Sequence, residues 1–181
     1  ISEKCRDVLR SDLFQKYFYD IKVKEDSDTK QLFKVVKDNK VGGFRYATSV
    51  NGTISGIHGH FLLLDDPLNA VDALSEVKIK NVNEWIDNVI YSRKVDNDVS
   101  VVILIMQRLH ENDVTGYLLE KNKNIKHICL PAIESDKVQP AELKNNYVDG
   151  LLDPKRLSKE ILEQKRIEMG DYAFAMQYLQ E

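Results

Sequence analysis

Two kinds of apolar pattern alternate along this chain, and the switch between them predicts its elements. The sharpest is Phe61-Leu62-Leu63-Leu64, which leads without a polar interruption into Asp65-Asp66-Pro67. A run with no alternation predicts a strand buried on both faces of a parallel sheet. Residues 99–106 form a second such run, rich in β-branched side chains, and predict another buried parallel strand. A third strand is expected within residues 125–133. Between the first two, Val71, Leu74, Val82, Trp85, Ile86, Val89 and Ile90 recur at helical spacing. That spacing predicts one long amphipathic helix, interrupted near Asn81. Residues 111–121 predict another helix, with Val114, Leu118 and Leu119 inward. Ser158 is placed to cap a helix carrying Ile161, Leu162 and Met169 and ended by Gly170, and a final helix holds Tyr172, Met176 and Leu179.

The first third of the chain is more polar. Residues 2–19 read as one or two short helices with an apolar face of Val8, Leu9, Leu13, Phe14, Tyr17 and Phe18. Residues 22–30, rich in lysine and aspartate, read as a solvated loop or edge. A short strand is expected over 32–36 and a polar turn over 37–40, with Gly42-Gly43 separating them from a strand over 44–50. Asn51-Gly52 is a hairpin-type turn signal. Residues 138–154 read as a polar connection. Buried strands alternating with amphipathic helices predict an α/β fold, a mainly parallel sheet flanked by helices, in one domain over residues 1–181.

Composition narrows the partners more than the fold. A chain of 181 residues is long enough for one domain with a real core. A net charge of -3 gives no global attraction to nucleic acid, so such binding needs a local patch. Cys5 and Cys129 are the only cysteines and read as free thiols in a reducing compartment. No apolar run approaches the roughly 18 residues of a membrane span, and no secretory signal is visible. The chain opens on Ile1 rather than Met, so it reads as a fragment of something longer.

Polar groups just beyond the carboxyl ends of parallel strands lie in the crevice where nucleotides bind. Asp65 and Asp66 occupy such a place. Two acids there can divide the work of a Walker B element, one holding Mg²⁺ and the other orienting or deprotonating a water. The plainer alternative is that they cap the following turn. The second run leads into Met106-Gln107-Arg108-Leu109-His110-Glu111-Asn112-Asp113. Gln107 can hydrogen-bond a water or phosphate, and Arg108 can stabilise developing phosphoryl charge. Alternatively Glu111 or Asp113 opens the next helix and Arg108 pairs with them. The glycine-rich segment from Gly52 to His60 lacks the spacing and the lysine of a phosphate-cradling loop, and no other stretch offers one. His58, His60, His110 and His127 lack Cys or Glu partners at metal-site spacing and read as structural. Lys155, Arg156, Lys159, Lys165 and Arg166 can meet DNA phosphates. They are interleaved with Glu160, Glu163 and Glu168, which favours a solvated helix face.

In order and spacing, these pieces resemble the ATPase domain of large terminase subunits, the DNA-packaging motors of tailed bacteriophages and prophages. The resemblance is carried by Gly42-Gly43-Phe44-Arg45-Tyr46-Ala47-Thr48-Ser49-Val50 and by Ser55-Gly56-Ile57-His58-Gly59-His60 running into Leu64-Asp65-Asp66-Pro67. It continues in the segment from Met106 to Asp113 followed by Gly116, and in Met169-Gly170-Asp171-Tyr172-Ala173-Phe174-Ala175-Met176-Gln177-Tyr178-Leu179-Gln180. It implies an incomplete P-loop NTPase core of the ASCE type. The first strand and the Walker A loop are then expected upstream of Ile1, and a ribonuclease-H-like nuclease just after Glu181. By the same resemblance, Asp65 matches the Walker B acid that helps hold Mg²⁺. Asp66 falls at the catalytic acid, one methylene shorter than the glutamate usual there. Gln107 and Arg108 match the coupling motif that links nucleotide state to movement of the DNA-gripping parts. Ile57 and His60 stand where many relatives carry arginine and aspartate.

The implied activity is ATP- and Mg²⁺-dependent packaging of double-stranded DNA into procapsids, in the cytoplasm of a bacterial host. The implied partners are DNA, the small terminase subunit and the portal. The chain alone is expected to bind ATP poorly and turn it over negligibly. Loss of a central strand would expose backbone and apolar surface, which predicts a shielded edge or self-association. Two other readings stay open: a non-catalytic prophage remnant that binds DNA or another terminase subunit, and a helicase-like ATPase fragment.

Overall fold

The computed structural model describes residues 2–181. They fall into two compact units, divided between Ser55 and Gly56. In the first unit, helix α1 (Ser2–Arg10) is followed by α2 (Asp12–Tyr17), whose first turn is capped by the Ser11 hydroxyl accepting from the Phe14 N–H at 3.2 Å. Val8, Leu13, Tyr17 and Phe18, expected as an apolar face, remain exposed. Three antiparallel strands follow in the order β1-β2-β3: β1 (Ile21–Asp28), β2 (Leu32–Lys37) and β3 (Lys40–Tyr46). Thus the lysine- and aspartate-rich stretch is an edge strand, with Val23 opposite Val35 and Asp28 opposite Phe33.

The glycine pair does not break the chain here; β3 continues through Gly42 and Gly43, with its register against β2 shifting at that point. The reversal falls instead at Asp38-Asn39, both left-handed with φ of 50° and 59°. A two-residue turn of that kind matches the twist of the flanking strands. Asn51-Gly52 does form a turn, with the Gly52 N–H donating to the Ser49 carbonyl at 2.9 Å, but it joins no two strands. Phe33 is 3% exposed. Beside it Asp28 accepts from Arg6 at 2.6 Å and also from Arg10, which ties α1 to the sheet.

The second unit is built on β4 (Phe61–Asp65) and β5 (Val101–Ile105), a parallel pair in straight register from Phe61 opposite Val101 to Asp65 opposite Ile105. The expected third strand is absent among the described residues. Within 125–133 the backbone makes isolated bridges, Cys129 with Gln139 and Ile133 with Leu151, and Pro131 between them has no N–H to extend a ladder. The fold is therefore α/β, but its one parallel pair is smaller than its antiparallel sheet.

Burial on both faces is also corrected. Leu64 is 7% exposed, whereas Phe61 is 76%, Leu63 58%, Ile103 40% and Ile105 55% exposed. Alternate residues of an extended strand share a face, so one face of the pair packs on the unit and the other is open and apolar.

The expected long helix is divided at Ser75, not near Asn81. A 3₁₀ turn (Asp72–Leu74) precedes it, α3 occupies Glu76–Trp85, and a π-turn (Ile86–Ile90) continues it. Ile79, Val82, Asn83 and Ile86 form its buried stripe. Helix α4 (Val114–Lys121) buries Val114 and Leu118, and its Lys121 and Tyr117 both bind Asp87, the lysine at 2.6 Å. The C-terminal helices α5 (Lys159–Met169) and α6 (Asp171–Leu179) close a separate core of Ala132, Leu151, Leu162 and Phe174. As the sequence predicts, Ser158 caps α5, accepting from the Ile161 N–H, and Gly170 with φ 82° ends it. No helix among the described residues is long and apolar enough to cross a membrane.

Candidate functional site

Parallel pairing sends both strands of the second unit out at the same end. Asp65 pairs with Ile105, and the Asp66 N–H donates to the Ile105 carbonyl at 2.9 Å. Asp66 then turns left-handed, with φ 44°, a conformation that short polar side chains tolerate better than most. Pro67 holds the chain in the bend that follows. Asp65 and Asp66 are both exposed, as is Gln107, two residues past the end of β5. Asp65 shares the open face of the pair with Ile105. The two acids and Gln107 therefore lie at one end of the parallel pair, as their positions in the sequence predict.

Arg108 is differently placed. Its Nε bridges both oxygens of Asp113 at 3.1 and 3.0 Å, and its Nη2 donates to the carbonyls of His110 and Glu111, each at 3.2 Å. Asp113 is fully buried. Besides Arg108 it accepts from the backbone N–H of Leu109 at 2.9 Å and of His110 at 3.4 Å. It also accepts from the N–H of Gly116 at 2.9 Å, which makes it the N-cap of α4. The loop from Arg108 to Asp113 is thus folded around one carboxylate.

Gly116 completes the arrangement. A Cβ there would stand 1.9 Å from the Glu111 carbonyl oxygen and 3.2 Å from Arg108 Nη2. From the side of α3, the Asn83 amide donates to the Asn112 carbonyl at 3.1 Å, and its own buried Oδ1 has no protein partner. His110 accepts the Asn112 N–H at Nδ1, 3.1 Å away, so its Nε2 carries the proton when the ring is neutral. That Nε2 stands 3.9 Å from Glu76 of α3. Burial, and then the charge of Arg108, push the His127 imidazole below its ordinary pKa, which favours the neutral ring.

Two exposed carboxylates at a strand end suit a hydrated Mg²⁺, which keeps several waters and takes only one or two protein carboxylates. Among the described residues no three His, Cys, Asp or Glu side chains converge on a metal position. His58 and His60 lie exposed in the loop before β4. In the basic cluster, Lys165 pairs with Glu168 at 2.7 Å, Arg166 with Asp171 at 2.5 Å, and Arg156 with Asp153 at 3.8 Å. A cavity of about 730 Å³ lies apart from the acids, between Glu134, Asp136, Lys144, Asp149 and Lys159.

The sequence alternative in which Asp113 opens the next helix and pairs with Arg108 is the arrangement found; sequence reasoning passed over Asn83 and Gly116 as site residues. The usable signal is the spacing Arg108, Asp113, Gly116: an arginine, an acid just before a helix, and a glycine in that helix's first turn. No protein-family model matches this chain, and none of the curated proteins matches it significantly.

Proposed function

We propose that this chain is part of the ATPase core of a large terminase subunit, the motor that drives double-stranded viral DNA into procapsids. The observation that carries the reading is the straight-register parallel pair, with Asp65-Asp66 and Gln107 leaving at one end. In it Asp65 would hold Mg²⁺ and Asp66 would orient the attacking water, while Gln107 would meet the water or a phosphate oxygen. When bound, Mg²⁺ would neutralise charge on the transferring phosphoryl group. The open apolar face of the pair fits a parallel sheet of the P-loop NTPase kind, which carries a layer of helices on each face. ATP, double-stranded DNA, the small terminase subunit and the portal are the proposed ligand and partners, in a bacterial cytoplasm.

The test is steady-state ATP hydrolysis by the product of the complete gene, with and without double-stranded DNA. DNA-stimulated turnover is expected, and Asp65→Ala should lower it about 100-fold, the loss of a metal-holding group worth several kcal/mol. Absence of turnover, or turnover indifferent to Asp65→Ala, would overturn the reading. One observation favours the second reading, a non-catalytic module that binds DNA or another terminase subunit: Arg108 spends its Nε and Nη2 on its own loop. Full DNA binding with no hydrolysis would select it.

A further inference from the structure

The loop after β5 presents a neutralised arginine and one exposed glutamine, and a single buried carboxylate determines that outcome. Asp113 is 0% exposed and takes hydrogen bonds from the Arg108 side chain and from three backbone N–H groups, of Leu109, His110 and Gly116. Three of those donors come from the segment immediately after Gln107 and one from the first turn of α4. The carboxylate therefore fixes the direction in which the chain leaves β5, and Gln107 with it. Helix α3 braces the same segment through Asn83, 7% exposed, whose amide holds the Asn112 carbonyl.

We infer that Asp113 is a positioning residue for the site at the end of β4 and β5, with Asn83 as its brace. Resting on the ATPase reading above, this assigns the loop a specific division of labour. Arg108 serves as the counter-ion of Asp113 and stays off the phosphates. Gln107 is the side chain the loop offers to the acids, and Asp113 sets where it stands. A misplacement of about 1 Å at a reacting centre can lower turnover roughly 100-fold without touching ground-state binding. The signature of the role is accordingly a fall in kcat at constant KM.

The experiment uses the complete gene product and the variants Asp65→Ala, Asp113→Asn and Asn83→Ala, assayed below their unfolding transitions. Asn at 113 keeps an oxygen for the α4 cap but no longer neutralises Arg108. Asp113→Asn is expected to lower kcat at least tenfold with KM for ATP within about twofold, and Asn83→Ala to lower it less, in the same sense. If Asp113→Asn does not fold, Asn83→Ala carries the test, because it frees the Asn112 carbonyl and so loosens the loop that Asp113 holds while sparing the α4 cap. A rate that depends on Asp65 but is unchanged by the position-113 variant, or by the position-83 variant where that stands in, overturns this inference alone. A variant that loses only thermal stability does the same, since Asp113 is then merely structural. A rate indifferent to Asp65→Ala overturns the ATPase reading and this inference with it.

Discussion

Replacing Gly116 by alanine sets two effects of opposite sign against each other. Intrinsic helix propensity favours alanine over glycine by about 1 kcal/mol, and Gly116 sits in the first turn of α4. On propensity alone the variant is more stable. The surroundings reverse the sign. The new Cβ would lie 1.9 Å from the Glu111 carbonyl oxygen, and ordinary contact begins at 3.4 Å, so the loop must withdraw by about 1.5 Å. Such overpacking costs about 1–3 kcal/mol. The withdrawal also strains the Arg108 bond to the Glu111 carbonyl and the Gly116 N–H bond to Asp113. Hydrogen bonds to charged groups contribute about 1.5–3 kcal/mol each, and partial loss of either is enough to exceed the propensity gain. The net expectation is a destabilisation of about 2–4 kcal/mol. With an m-value of about 2 kcal/mol/M in urea, the midpoint falls by roughly 1–2 M. Trp85, the single tryptophan, lies on α3 of the same unit and reports the transition by fluorescence. A midpoint equal to or above wild type, at unchanged m, would refute the steric account and leave propensity in command.

Three further outcomes follow from other parts of the molecule. The hydrogen bond from Arg6 leads the causes that hold the Asp28 carboxyl below the usual carboxylate range; partial burial opposes it, and Arg10 adds to it. That stabilisation is present above the ordinary carboxylate pKa and is lost as pH falls through the lower folded value. Thermal unfolding of the first unit should therefore show an acid limb below about pH 4 that Asp28→Asn removes, and an unaltered limb in that variant would contradict the pairing. Burial pushes the Cys129 thiol upward while Cys5 is only half-buried. At about pH 8, Ellman's reagent should titrate one thiol quickly and the second only in denaturant; two equal fast phases would rule this out. Finally, the open face of β4 and β5 should drive self-association, and Leu63→Lys with Ile103→Lys should return the chain to monomer in sedimentation velocity. Identical sedimentation of the double variant and wild type would count against that face.

The strands carrying the candidate site were legible because their apolar runs are long, uninterrupted and followed at once by polar residues. The same runs misled on burial. Phe61 and Ile103 are as apolar as any core residue, but an apolar pattern records what a strand can bury and not whether a layer lies over it. Strand β1 was legible only as a loop or an edge, for the opposite reason: Lys22, Lys24, Glu25 and Asp26 populate an edge, where backbone pairing to β2 suffices and only one face needs apolar side chains. A single residue undid the third strand, since Pro131 withholds one N–H from the ladder. Ser158 and Gly170 were readable as caps because those functions reside in the residue type itself. Asp113 was readable in part, as the opener of α4 and a partner of Arg108; the further N–H donors of Leu109 and His110 that the fold gathers round it were not, and Gly116 has meaning only beside the Glu111 carbonyl.

The crowding at Gly116 also reaches beyond this one molecule. Arg108, Asp113 and Gly116 form a sparse pattern, arginine, four residues, aspartate, two residues, glycine, in which each member excludes substitution for a different physical reason. The arginine must supply a fork of donors, the aspartate must accept them without water, and the glycine must leave room for a carbonyl. Such a pattern can outlast general sequence similarity. Paired with an apolar run ending in two acids some forty residues earlier, it offers a way to recognise distant kin by physical constraint.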